Sequence, residues 1–170
     1  MLGIIESKKR KGMVITEPDI FGGVERVMDP DLLGENTMKD VFELRLVLEV
    51  GMGDLLFIRK TPEDIKILED IAERESNDPE CINDIKRRLS YEVEFHGHLY
   101  SMSGNNTLLK FQSMLLPVFH FMMEQEAKLT KKPISSNVSH KDLIETLKTG
   151  TSEDFRESMR IHLSPHYQKL

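Results

Sequence analysis

The chain has 170 residues, of which 39% are apolar and 31% charged, with a formal net charge of −6. That balance suits a single soluble domain with a real core and excludes a disordered chain. No apolar run approaches the roughly 18 residues of a membrane helix. The acidic surplus excludes a general nucleic-acid surface, and the one cysteine, Cys81, excludes an internal disulfide and a multi-cysteine zinc site.

In chain order, Leu2-Gly3-Ile4-Ile5-Glu6-Ser7 and Met13-Val14-Ile15-Thr16 are two β-prone runs around the basic turn Lys8-Lys9-Arg10-Lys11-Gly12. They predict a β-hairpin with a basic tip, suited to phosphate contact or simply solvated. Two strands do not fold alone and need a surface to pack on. Residues 18–37, rich in Gly, Pro and acids, predict a linker with at most one helical turn.

From Met38 onward the periodicity is helical. A first helix is expected from about Met38 to Lys60, apolar nearly all round and therefore buried in the domain or against a partner chain. Close packing by another helix would account for Gly51 and Gly53. Arg45 stands out as a charge in this apolar setting, either paired with Glu49 one turn on or holding an anion. Thr61-Pro62-Glu63-Asp64 caps a second helix. A third is expected from about Ile82 to Ser103, and a fourth from about Thr107 to Leu129, kinked at Pro117. Lys131-Lys132-Pro133 breaks the pattern. Two short helices follow, Val138 to Thr149 and Ser152 to Leu163, forming an antiparallel hairpin around Gly150.

Glu92 and His96 are four residues apart on the third helix, so they lie on one face. His140 and His162 are equidistant from the turn at 151, which places them at the same height across the helical hairpin. If that hairpin packs on the third helix, Glu92, His96, His140 and His162 converge. Three imidazoles and a carboxylate suit Zn, Ni, Mn or Fe(II) and leave one or two positions open in an octahedral ion. The alternative is that these are ordinary polar residues on separate helices. His98 faces away from His96, and His166 follows Pro165 close to the chain end, so both rank below the four. His120, among Phe119, Phe121 and Met122, belongs to a core or interface stripe.

These motifs together resemble the C-terminal effector domain of GntR-type bacterial transcription regulators, in the FadR-like (FCD) branch. The resemblance spans about Met38 to Leu163. It rests on Glu92-Val93-Glu94-Phe95-His96, on His140, on Arg160-Ile161-His162-Leu163, on Ser103-Gly104-Asn105, and on Glu43-Leu44-Arg45 with Leu48-Glu49. Glu92 stands where the family usually has Asp, and Asn106 where it often has Pro. The resemblance implies an all-α, six-helix antiparallel bundle preceded by a short β-hairpin remnant. The expected division is residues 1–17 as the wing of a winged helix-turn-helix, 18–37 as linker and 38–170 as effector-binding domain. The recognition helices that should precede the wing are absent. The chain is then either a piece of a longer protein or one whose first Met is internal to a longer gene, and specific DNA binding is expected only through the missing N-terminal domain.

The expected function is effector sensing in a cytoplasmic, homodimeric transcription regulator with no membrane partner. A divalent metal, zinc first and Ni, Mn or Fe as alternatives, would be held by Glu92, His96, His140 and His162. Its open positions would receive a small organic acid, with Arg45 pairing the far carboxylate. The expected answer to whether it is an enzyme is no. The alternative is a metal-dependent hydrolase acting on a small carboxylate ester or lactone, and against it stands the lack of a general base other than Glu94, which faces elsewhere. A third possibility is a plain helical interaction domain without metal.

Overall fold

One hairpin and seven helices make up the described part of the chain, which in this computed structural model comprises residues 5–10, 12–15, 21–24, 27–82, 84–130 and 136–167. Strand β1 (Ile5–Lys8) pairs antiparallel with β2 (Gly12–Ile15), with Ile5 opposite Ile15 and Ser7 opposite Met13. Gly12 closes the turn at φ +71°, a left-handed conformation that glycine adopts without steric cost. The apolar side chains of the hairpin, Ile5, Met13 and Ile15, are exposed. The expected strand residues Leu2, Gly3, Ile4 and Thr16 lie outside the described residues, as do parts of the linker (17–20, 25–26) and the break at Lys131-Lys132-Pro133.

The helices are α1 (Glu35–Gly51), α2 (Gly53–Arg59), α3 (Pro62–Asn77), α4 (Ile85–Met102), α5 (Asn106–Thr130), α6 (His140–Thr149) and α7 (Ser152–Tyr167), with a 3-10 turn at Pro79–Ile82. The all-α architecture agrees with expectation, but the helix expected from Met38 to Lys60 is two, divided at Met52, and the six become seven. The glycines beside the break do different work. A Cβ on Gly53 would lie 3.0 Å from Arg156 Cγ and 3.3 Å from the Ser152 carbonyl, so α7 packs directly on its backbone. Gly51 faces open space, and close packing is not its reason. α5 runs unbroken through Pro117, and α7 continues past Pro165 to Tyr167, beyond the expected end at Leu163.

Local signals set the other helix starts. Thr61 and Asp64 form a reciprocal capping box on α3, with Pro62 at the first helical position. Ser139 and Asp142 do the same for α6. On α7 the cap is Thr151, whose hydroxyl accepts from the Asp154 amide while the Asp154 carboxylate accepts from the Thr151 amide. Asp84 caps α4 by accepting from the Lys86 and Arg87 amides.

The core joins α1, α2, α3, α4, α6 and α7 through fully buried Leu46, Leu56, Leu68, Phe95, Leu143 and Phe155. A second apolar cluster, Met38, Val41, Met114, Leu115 and Val118, seals α1 against α5. α6 and α7 pack as an antiparallel pair, with α3 against α6 and α1 against α7. This layering closes the helical hairpin over α4 and sets the positions of the polar side chains between them.

Candidate metal centre

α4 carries Glu92 and His96 on its inner face, and Phe95 and His96 are almost wholly buried. The capping box at Ser139 starts α6 at His140, so that imidazole occupies the first helical position. The antiparallel return of α7 brings His162 alongside it, with ring centroids 5.0 Å apart. Across to α4, the His96 ring lies 5.3 Å from that of His162 and 5.5 Å from that of His140. Phe95 stacks on His140 at 4.0 Å and walls one side.

The donor atoms converge. His96 Nε2 is 3.3 Å from His162 Nε2 and 3.4 Å from a Glu92 oxygen, which is 3.7 Å from His140 Nε2. One ligand atom from each of the four residues lies within 4.8 Å of every other. Two donors each about 2.1 Å from a tetrahedral ion stand about 3.4 Å apart, so these separations match those of ligands around a single small cation. His140 Nε2 is buried with no hydrogen-bond partner, a costly state that a ligand would relieve. The residues therefore fit a divalent metal ion.

Each imidazole is oriented from behind through its other nitrogen. His96 Nδ1 is 2.7 Å from a Glu49 oxygen on α1, and His140 Nδ1 is 2.8 Å from a Glu75 oxygen at the end of α3. His162 Nδ1 is 2.9 Å from the Val138 carbonyl oxygen. All three rings thus turn Nε2 inward. Outer partners of this kind fix the tautomer and ring orientation of metal-binding histidines and raise their basicity. Nothing in the sequence singles out Glu75 or Val138 for this work. The sequence offers Glu49 as the partner of Arg45 and as part of the family pattern, but not as the acid behind His96.

The electrostatics follow from burial and crowding. Burial opposes the charged form of Glu92, but His140 and His96 outweigh it and hold the carboxyl well below its usual range. Glu49 is also buried, yet Arg45 and His96 pull it down to about 2. Burial disfavours a charged His140, and Glu92 with Glu75 overcomes this and raises it to about 10. His96 is raised against burial by Glu49 and Glu92. For His162, burial and the neighbouring His96 and His140 act together and lower it to about 4.

Arg45 is buried on α1, with its Nε 2.6 Å from Glu49 and its guanidinium 3.4 Å above the Phe119 ring. The intrahelical pair considered from sequence is therefore present. Arg45 Nη1 nevertheless has no hydrogen-bond partner. His166 lies within α7, one turn beyond His162, with its ring 5.7 Å from Phe42. Burial lowers it to about 4, and it interacts with Glu92, Arg45, His96 and Glu49, which places it in the interior beside the cluster. His98 turns to Asp64 on α3, 3.3 Å away, and His120 is exposed. Glu94, the base considered for the hydrolase alternative, pairs with Arg74 at the surface, 2.6 Å apart.

The FCD domain family model matches residues 40–165. No curated protein matches the sequence significantly. Among solved structures, a Streptococcus agalactiae GntR protein is 21% identical, with a TM-score of 0.59 over 99% of this chain and 76% of that one. A GntR-family transcriptional regulator from Pseudomonas syringae pv. tomato str. DC3000 is 18% identical, with a TM-score of 0.64 over 97% of this chain. The chain spans 62% of the length of that second protein. At such identities the two structures support the fold, while the family rests on the domain match. By that match the chain belongs to the FCD-domain family of GntR-type transcription regulators, and it is a ligand-sensing regulatory domain rather than an enzyme.

Proposed function

We propose that residues 38–170 sense a small organic acid through a divalent cation held by Glu92, His96, His140 and His162. The observation that carries this reading is the convergence of three inward-facing Nε2 atoms and one carboxylate oxygen within 4.8 Å. The cation would be zinc, with Ni, Mn or Fe(II) as alternatives, since imidazole-rich sets accept all four. When bound, it would supply a Lewis-acidic position for an oxygen of the acid. Arg45 would pair a second carboxylate through its unpartnered Nη1 edge.

Binding would shift the packing of α1 against α4 and α7, and so bias the spacing of two protomers. A homodimer is supported by the apolar side chains of Leu44 and Val47, which α1 leaves exposed. The hairpin at residues 5–15 would be the wing of a winged helix-turn-helix spanning residues 1–17, joined by a linker over 18–37. DNA would be bound through that N-terminal domain. A cytoplasmic location accords with the single cysteine, and no helix among the described residues is long and apolar enough to cross a membrane.

The test is metal content by mass spectrometry on untagged protein, beside a His140→Ala, His162→Ala double variant. Near-stoichiometric metal that the variant loses is the expected result. Carboxylate binding to the loaded protein should disappear on chelation. Equal carboxylate affinity with and without metal would refute the sensing scheme.

A further inference from the structure

We infer that Glu49 is a positioning residue shared by the metal cluster and the Arg45 anchor, so that cation and organic acid bind cooperatively through one buried carboxylate. The inference rests on the reading above, in which the cluster takes a cation and Arg45 takes a carboxylate.

Glu49 has no solvent exposure, and its two oxygens face different partners. Oε1 accepts from Arg45 Nε at 2.6 Å, while Oε2 lies 2.7 Å from His96 Nδ1 as an ion-pair contact rather than an aligned hydrogen bond. Arg45 and Glu49 sit one turn apart on α1, while His96 reaches them from α4. A continuous polar line therefore runs from the guanidinium, through one carboxylate and one imidazole, to the Nε2 atom that faces Glu92 and His162. Arg45, Glu49 and His96 are each at most 3% exposed, so solvent does little to screen the line.

A cation at His96 Nε2 draws electron density from the ring. The Nδ1 proton becomes more acidic, and its attraction to Glu49 strengthens. The carboxylate then has less charge to share with Arg45. The guanidinium already presents one edge, at Nη1, that no protein acceptor meets. Loosened from Glu49, it is a better partner for an incoming carboxylate. Linkage makes the effect reciprocal: a carboxylate that draws Arg45 away leaves Glu49 freer to hold His96, and the cation binds more tightly.

Arg45 and His96 thus compete for Glu49, which fixes opposite signs for two variants in adjacent turns of one helix. The experiment is Zn2+ titration by chelator competition at neutral pH on the full chain, comparing wild type, Glu49→Gln and Arg45→Met. Thermal melts by circular dichroism would verify folding. Glu49→Gln should weaken Zn2+ binding by roughly 10–100-fold. Arg45→Met should tighten it several-fold, because the competing cation is gone. Simple damage to packing would weaken both. Weaker or unchanged binding in Arg45→Met, or Glu49→Gln within about twofold of wild type, overturns the inference.

A measurement on the wild type stands even if a variant does not fold. The side-chain Nε–H signal of Arg45, identified by its loss in Arg45→Lys, should shift as Zn2+ saturates the protein, although Arg45 is not in the cluster. An Arg45 signal that stays fixed while Zn2+ binds refutes the shared carboxylate alone. Wild type that takes up no Zn2+ refutes the metal reading, and the inference falls with it.

Discussion

Replacing Glu75 with glutamine should weaken cation binding about tenfold while leaving the fold intact. The Glu75 carboxylate is 2.8 Å from His140 Nδ1, and its side chain is 24% exposed at the end of α3. Glutamine keeps the shape and one acceptor oxygen but removes the charge that makes the imidazole a stronger donor at Nε2. Loss of such a partner typically costs 10–100-fold in metal affinity. Partial exposure screens the Glu75 charge, so the lower end applies, and a tenfold loss corresponds to about 1.4 kcal/mol. The assay is competition between the protein and a chromophoric chelator for Zn2+ at neutral pH. Glu94→Gln is the control: Glu94 lies on the same helix as two of the ligands but is paired with Arg74 and 47% exposed, and its loss should leave affinity unchanged. Wild-type affinity in Glu75→Gln, or an equal loss in both variants, would refute the claim that Glu75 acts on the cluster through His140.

Three further outcomes follow from the same geometry. Saturating wild type with Zn2+ at one hundred times its dissociation constant should stabilise the fold by about 2.7 kcal/mol, read as a rise in melting temperature that the His140→Ala, His162→Ala variant does not show. Ser139→Ala removes the α6 cap one residue before His140, and urea unfolding should record a loss of about 1 kcal/mol. Because imidazoles must be deprotonated to ligate, and Glu92 with Glu75 raises His140 to about 10, Zn2+ affinity should fall steadily as pH drops from about 10 through neutral. A titration showing constant affinity between neutral and mildly acidic pH would count against histidine ligation.

Much of the cluster was legible in the sequence because its spacings are local. Glu92 and His96 need only helical periodicity to share a face. His140 and His162 need only the turn between them, and their rings indeed meet at 5.0 Å. Capping residues likewise announced α3 at Thr61, and α7 begins at Ser152 as expected, behind the cap Thr151. The break at Met52 was missed because the apolar pattern continues across it, and the pattern carries no mark of how Gly53 packs on α7.

By itself, then, the sequence determined the helical class, the helical hairpin and four candidate ligands, since each depends on helical periodicity or on symmetry about one turn. Only the tertiary structure decided which acceptor stands behind each ring. It drew Glu49 from α1, Glu75 from α3 and the Val138 carbonyl from before α6, partners separated from their histidines by 47, 65 and 24 residues in the chain. It also brought His166 into the interior and gave Arg45 both a partner and a vacant edge. Those choices depend on how helices distant in sequence pack around one core, and no local periodicity encodes them.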